Sequence, residues 1–140
     1  MIGTTSPGGL DRARALGADQ VIDHTAIRFE DAIEPVDLVF DTVGGDRLKR
    51  SPAVLREGGR LVSIAEQPPP EFLANPAISA VYFVVGPKRE ELIRLTTLLE
   101  EAQIQPMVGE VFALADAPTA FAHAMAGDTC GKVVLRIAQG

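Results

Sequence analysis

The turn Thr4-Thr5-Ser6-Pro7-Gly8-Gly9 follows a short run, Ile2–Thr5, that reads as a strand. It offers hydroxyls and free backbone N–H groups, which suit a phosphate or a ribose. In a doubly wound sheet such turns line the ligand crevice at the carboxyl ends of the strands. A site for NAD usually places Asp or Glu here, to take the ribose 2′-hydroxyl. Thr5 and Ser6 stand in that place. A carboxylate would repel a 2′-phosphate, so a dinucleotide bound here is expected to be NADP(H). The structural alternative is a plain Pro-Gly turn, the commoner use of these residues.

A second candidate is Phe40-Asp41-Thr42-Val43-Gly44-Gly45, where a strand ends on a glycine pair. The glycines let backbone approach a flat ligand, or simply allow a turn at positive φ. Asp41 could be a catalytic carboxylate, but an Asp that caps the following turn is more usual. Ser63-Ile64-Ala65 and Phe83-Val84-Val85 end two further strands and reach the same edge if the strands are parallel; core packing is their other reading. His24 follows a strand end and could face an adenosine, whereas His123 fits a partly buried helix. Neither has Cys or carboxylate at ligand spacing, so no metal site is expected. Cys130, the one cysteine, reads as a free thiol. There is no G-x-S-x-G elbow and no G-x-G-x-x-G fingerprint.

The elements that position these residues alternate. Strands are expected at Ile2–Thr5, Gln20–Asp23, Val36–Asp41, Arg60–Ala65 and Ala80–Val85. Helices are expected at Leu10–Leu16, Asp46–Arg56 and Lys88–Ala102, with a short helix or turn over Ala26–Ile33. Leu92, Leu95 and Leu99 put one apolar face on the last of these helices. Ser51-Pro52 interrupts the Asp46–Arg56 helix, and Gly58-Gly59 stops it. The proline-rich stretch 66–76 reads as an exposed connection. A strand at 108–114, a helix at 117–126 and a strand at 131–137 close the chain. Strand–helix alternation with continuously apolar strands implies a parallel sheet covered on both faces.

Composition bounds the function. The chain has 140 residues, net charge -6, 46% hydrophobic and 23% charged residues. That fits one domain with a real core and reads against whole-chain disorder. The acidic balance disfavours nucleic acid and anionic membrane as partners. The first nine residues lack a basic, apolar leader pattern, and no apolar run is long enough to span a bilayer. With one thiol, a reduced, cytoplasmic setting is expected.

Four segments in order carry a resemblance. Leu16-Gly17-Ala18-Asp19-Gln20-Val21-Ile22-Asp23, Val36 to Gly45, Leu55 to Val62, and Gly131-Lys132-Val133-Val134-Leu135 are similar to elements of the medium-chain dehydrogenases/reductases. Within that family the chain most resembles the NADPH-dependent, quinone-oxidoreductase-like branch often called zinc-binding dehydrogenase, over essentially its whole length. The resemblance implies an incomplete Rossmann-like sheet. It would lack the first strand, the Gly-rich pyrophosphate turn and the N-terminal catalytic domain, as in a fragment, a truncated frame or one piece of a split enzyme. Residues 1–106 would form the partial dinucleotide-binding domain. Residues 107–140 would be an extension that packs, in the family, on the missing domain.

Carried over by position, the resemblance puts Gly3, Thr4, Thr5 and Ser6 by the adenosine ribose and 2′-phosphate, and His24 near the adenine. Thr42, Val43 and Gly44 would face the middle of the cofactor. Ile64, Ala65 and Glu66, with Phe83, Val84 and Val85, would line the nicotinamide side. No catalytic residue and no zinc ligand carries over. The implied function is the cofactor-binding part of an oxidoreductase that reduces quinones or activated alkenes by hydride transfer. Such a part would be inactive alone, would bind NADP(H) weakly, and would need a separate N-terminal catalytic half. The alternative is a non-catalytic nucleotide-binding or assembly module. The family also implies a homodimer paired through the Ala80–Val85 edge. In the strand order 3-2-1-4-5-6 the missing strand is the central one. Ile2–Thr5 and Val36–Asp41 must then pair directly or recruit a strand from another copy.

Overall fold

A computed structural model describes residues 1–127 and 130–137. Contacts divide the chain into two compact units, Met1–Gly86 and Pro87–Gly140. The division falls inside the 1–106 range expected for the partial dinucleotide-binding domain.

The first unit holds strands β1 (Ile2–Thr5), β2 (Gln20–Asp23), β3 (Val36–Asp41), β4 (Leu55–Ser63) and β5 (Ile78–Tyr82). Its helices are α1 (Leu10–Ala15), α2 (Gly45–Arg50) and α3 (Pro70–Leu73). Every strand pairing is parallel, but the strands form two sheets, β1-β2 and β3-β4-β5. β1 and β3 thus do not pair with one another, and the first of the two expected closures does not occur. The chain has a Rossmann-like α/β fold whose sheet is divided at its centre.

One apolar cluster spans the two sheets. Ile22 of β2, Phe29 of the crossover turn and Val54 are buried together, with Ala32, Ile33, Val36 and Val39 packed around them. Polar contacts reinforce this bridge. Arg50 Nη1 of α2 donates to both carboxylate oxygens of Glu30, at 2.8 and 2.6 Å. The same guanidinium lies 4.9 Å over the Phe29 ring. Gln20 Nε2 donates to the Ala32 carbonyl at 3.0 Å.

Several expectations need correction. The helix expected over Asp46–Arg56 ends at Arg50 and tightens into a 3-10 turn at Ser51–Val54, where Pro52 removes a donor. β4 already begins at Leu55, so Gly58-Gly59 lies inside a strand instead of stopping a helix. Gly58, at φ 76°, donates its N–H to the Ala77 carbonyl at 2.8 Å, and the pairing with β3 shifts register between Val36 and Leu38. The crossover over Ala26–Ile33 is short as expected, a single 3-10 turn at Phe29–Asp31. The 66–76 connection is not wholly exposed: Pro68 is fully buried and α3 forms beside it. On β3, Leu38 and Phe40 share one face and are more than half exposed, while Val39 on the opposite face packs into the cluster.

The second unit holds α4 (Arg89–Glu100), β6 (Val108–Ala113), α5 (Ala117–Ala126) and β7 (Lys132–Arg136), with β6 and β7 parallel. On α4, Leu92, Ile93, Leu95 and Leu99 all remain exposed. On α5, His123 Nε2 lies 3.2 Å from Glu110 Oε1, and its ring tilts against Phe112 at 5.9 Å between centroids. That matches the partly buried helical position expected for His123. Cys130 is an exposed free thiol.

Candidate functional site

Because the strands are parallel, their carboxyl ends define one edge in each sheet. The two sheets of the first unit turn those edges the same way. Arg47, on the helix after β3, reaches the ring of His24, which follows β2, at 3.2 Å. At the opposite end Ile2, Gln20 and Val36 line one open depression of about 490 Å³. Glu30, Asp31 and Glu34 also line that depression, a poor setting for an anionic ligand. The carboxyl edge is where the candidate residues gather.

Asp41 and Ser63 tie the edge of the larger sheet. Both are buried, at the ends of β3 and β4, and they are register partners. Ser63 Oγ donates to Asp41 Oδ2 at 2.7 Å. The other carboxylate oxygen accepts from the amides of Val43, at 3.3 Å, and Gly44, at 3.0 Å. Ser63 Oγ in turn accepts from the amides of Ala65 and Glu66, at 3.2 and 3.3 Å. One carboxylate and one hydroxyl therefore shape both loops, 42–45 and 64–66. Asp41 caps its turn, which is the structural one of its two readings.

The loops also bind each other. Glu66 Oε1 accepts from the Gly45 amide at 2.7 Å. Gly44 and Gly45 have φ of 76° and 62°, a consecutive left-handed pair that L side chains rarely adopt. A Cβ on Gly44 would lie 3.2 Å from Glu66 Cγ and Cδ and 3.3 Å from Ala65 Cβ. Thr42, Val43 and Ile64 stay exposed around this closed backbone. Thr42–Gly44 and Ile64–Glu66 are thus brought together.

The smaller sheet presents the second half of the edge. The His24 amide donates to the Thr5 carbonyl at 3.1 Å, which sets the two strand ends side by side. Ser6 leads into a 3-10 turn, Pro7–Gly9, yet its hydroxyl makes no capping bond. Asp23, the register partner of Thr5, ends β2 and is bonded to Thr25. Its Oδ1 accepts from the Thr25 hydroxyl at 2.7 Å and amide at 2.8 Å, and these bonds lower its pKa, the hydroxyl bond most. Thr4 and Ser6 are exposed, whereas Gly3, Thr5 and His24 are half-buried.

Phe83, Val84 and Val85 follow the end of β5 and do not belong to it, although the Phe83 amide still donates to the Ser63 carbonyl at 3.3 Å. The strand expected over Ala80–Val85 stops at Tyr82 because nothing pairs with residues 84 and 85. Sequence reading missed Ser63 as the partner of Asp41, and it missed Arg47 altogether. The interval between His24 and Arg47 carries no helical or strand period that could have linked them.

Among the described residues no three of His, Cys, Asp and Glu come together as metal ligands. These donors do not fit a zinc ion. The edge does fit a dinucleotide: it offers free hydroxyls, a guanidinium and glycine backbone at close approach, and no carboxylate at Thr5–Ser6. No helix among the described residues is long and apolar enough to cross a membrane.

Comparison with known proteins gives consistent matches. A family model described as zinc-binding dehydrogenase matches residues 16–135. The chain is 33% identical to a 2-methylene-furan-3-one reductase of Solanum lycopersicum, covering 94% of this chain and 32% of that protein. It is 30% identical to a chloroplastic NADPH-dependent alkenal/one oxidoreductase of Arabidopsis thaliana, with the same coverage. Among solved structures, the quinone oxidoreductase from Coxiella burnetii superposes with a TM-score of 0.87 at 30% identity, over 98% of this chain and 44% of that one. The chain therefore spans 32–44% of the length of these proteins.

Proposed function

The chain belongs to the zinc-binding dehydrogenase family, and on that premise we propose that it is the cofactor-binding part of an NADP(H)-dependent oxidoreductase acting on quinones or activated alkenes. One observation carries this reading. Parallel strand ends carry Gly3–Ser6 and His24 in one sheet and Thr42–Gly44 and Ile64–Glu66 in the other, with hydroxyls where a carboxylate would select NAD(H). The relatives' names support it, one by its NADPH-dependent alkenal chemistry and one by quinone reduction. When bound, the nicotinamide supplies the hydride. The chain's own residues hold and orient, with Phe83, Val84 and Val85 beside Ile64–Glu66 on the nicotinamide side. No zinc takes part.

Two structural features extend the proposal. β1 and β3 each pair with one strand among the described residues, and each leaves an edge that one more parallel strand could join. A separate N-terminal catalytic half supplies that strand and the substrate cover, and residues 107–140 pack on it. The chain alone binds cofactor weakly and does not turn over. The other free edge, β5, pairs across a two-fold axis through Ala80–Val85 to give a homodimer. Tyr82→Lys then shifts the dimer to monomer in sedimentation, and a monomeric wild type at micromolar concentration removes this interface. One exposed thiol and no other cysteine suit a reducing compartment such as the cytoplasm.

A second reading has its own observation. Asp41 and Glu66 each accept bonds from backbone amides. That structural use of both carboxylates suits a nucleotide-binding module without chemistry. Calorimetric titration of the chain with NADPH and NADH tests the first proposal. Tighter NADPH is expected, and tighter NADH overturns the 2′-phosphate assignment.

A further inference from the structure

We infer that Arg47 reads the phosphate on the adenosine side of the ligand and so sets the preference for a 2′-phosphorylated nucleotide. This deepens the proposed NADP(H) reading and rests on it. Arg47 lies on α2, half-buried, with Nη2 3.2 Å from His24 Nδ1 and 3.3 Å from His24 Nε2. A guanidinium so near both ring nitrogens lies against the imidazole and makes no ordinary single hydrogen bond to it.

Among the described residues no carboxylate pairs with Arg47. The acids of the neighbouring elements have other partners. Asp23 is bonded to Thr25, Glu30 to Arg50 and Arg28, and Asp46 lies 3.9 Å from Arg50 Nε. A half-buried guanidinium whose contact is an imidazole is an unneutralised cation, a costly arrangement without an anion to face.

Position supplies the anion. His24 follows β2, and its amide holds the Thr5 carbonyl, so the imidazole and the Thr5–Ser6 turn leave neighbouring strand ends. Ser6 brings an unengaged hydroxyl to that point. A phosphate there would receive the planar donor fork of Arg47 and a hydroxyl from the turn, the pairing in which arginine exceeds lysine. A bare ribose 2′-hydroxyl offers the guanidinium no charge. Arg47 is a specificity-determining residue, and His24 positions it.

The test uses the full 140-residue chain and two probes that differ only by the phosphate, adenosine 2′,5′-bisphosphate and adenosine 5′-diphosphate. Binding is followed by amide chemical shifts at millimolar probe. Wild type is expected to prefer the bisphosphate. Arg47→Ala should lower bisphosphate affinity about tenfold and leave the diphosphate within about threefold, as loss of one charge-assisted hydrogen bond predicts. Arg47→Lys should restore part of the preference, and a far-ultraviolet spectrum shows whether each variant folds. Retained preference in a folded Arg47→Ala overturns the role of Arg47 and leaves the cofactor reading standing. No preference in wild type, or no binding of either probe, overturns both.

Discussion

The two sheets of the first unit are built on different terms. The larger one carries its own interior. Leu61 and Ser63 of β4 and Leu48 of α2 are fully buried, and the Asp41–Ser63 bonds lock its carboxyl edge. The smaller one has two four-residue strands, and only Ile22 among them is buried. It is held to the rest by the Ile22–Phe29–Val54 cluster and the Glu30–Arg50 pair. Among the described residues no strand pairs with both sheets, and side-chain packing joins the smaller sheet to the larger. Yet the smaller sheet carries the residues proposed to choose the cofactor, and the larger one those proposed to hold its middle. Discrimination is placed on the more weakly supported half.

The sharpest way to break that contrast is to hollow the larger sheet. Leu61→Ala removes a side chain with no exposure and is expected to cost about 2–5 kcal/mol, read from the urea midpoint. Ile2→Ala, at the exposed start of β1, should cost far less. Equal losses would mean that the two sheets are equally supported.

Next in size is Asp41→Ala. It strips the acceptor from the Gly44 amide and the Ser63 hydroxyl, and a buried donor left unsatisfied costs about 1–3 kcal/mol. The 42–45 loop should lose hydrogen-exchange protection while β1 and β2 keep theirs. Simultaneous loss in both sheets would show one cooperative unit where two strengths are expected.

How far the sequence revealed this follows from where each signal lies. β1, β2 and β3 were readable because each is a short β-prone run bounded by Gly, Pro or Asp. The early start of β4 was not readable, since Leu55-Arg56-Glu57-Gly58-Gly59 has the composition of a helix end. Only pairing of Leu55 with Val36 and of Gly58 with Ala77 makes it strand. The burial of Pro68 likewise depends on long-range packing that local composition does not encode. At the site, the glycine pair and the missing acid at Thr5–Ser6 were visible as residue types. The Ser63–Asp41 bond and the Arg47–His24 contact join different elements, so no spacing could announce them.

Acid weakens the link between the sheets in a defined window. The Arg50 guanidinium first, and Arg28 with it, hold the Glu30 carboxyl down at about 2 from a usual 4.5. A depressed carboxyl stabilises the fold above its unfolded pKa, and that contribution fades as pH falls through the folded value. The stability difference between wild type and Glu30→Gln should therefore be constant above about pH 5 and shrink toward pH 2. A difference independent of pH across that range would remove the ion pair from the account of how the smaller sheet is held.

The smallest effect expected is at the turn beneath the proposed phosphate position. Gly9 has φ −101°, which alanine adopts freely, so backbone strain does not require a glycine there. Space does: a Cβ on Gly9 would overlap Thr5 Oγ1 and lie 3.2 Å from Thr5 Cβ. Thr5 can escape by rotating its hydroxyl away, because only one side chain has to move. Gly9→Ala should therefore cost about 1 kcal/mol, the low end for added bulk in a packed place. The same substitution in a Thr5→Ala background removes the closest contact and should cost markedly less. A double-mutant cycle from thermal melts reads that coupling directly. If the two changes are additive, Thr5 is not held against Gly9, and the smaller sheet presents its hydroxyl with less order than the larger sheet presents its loops.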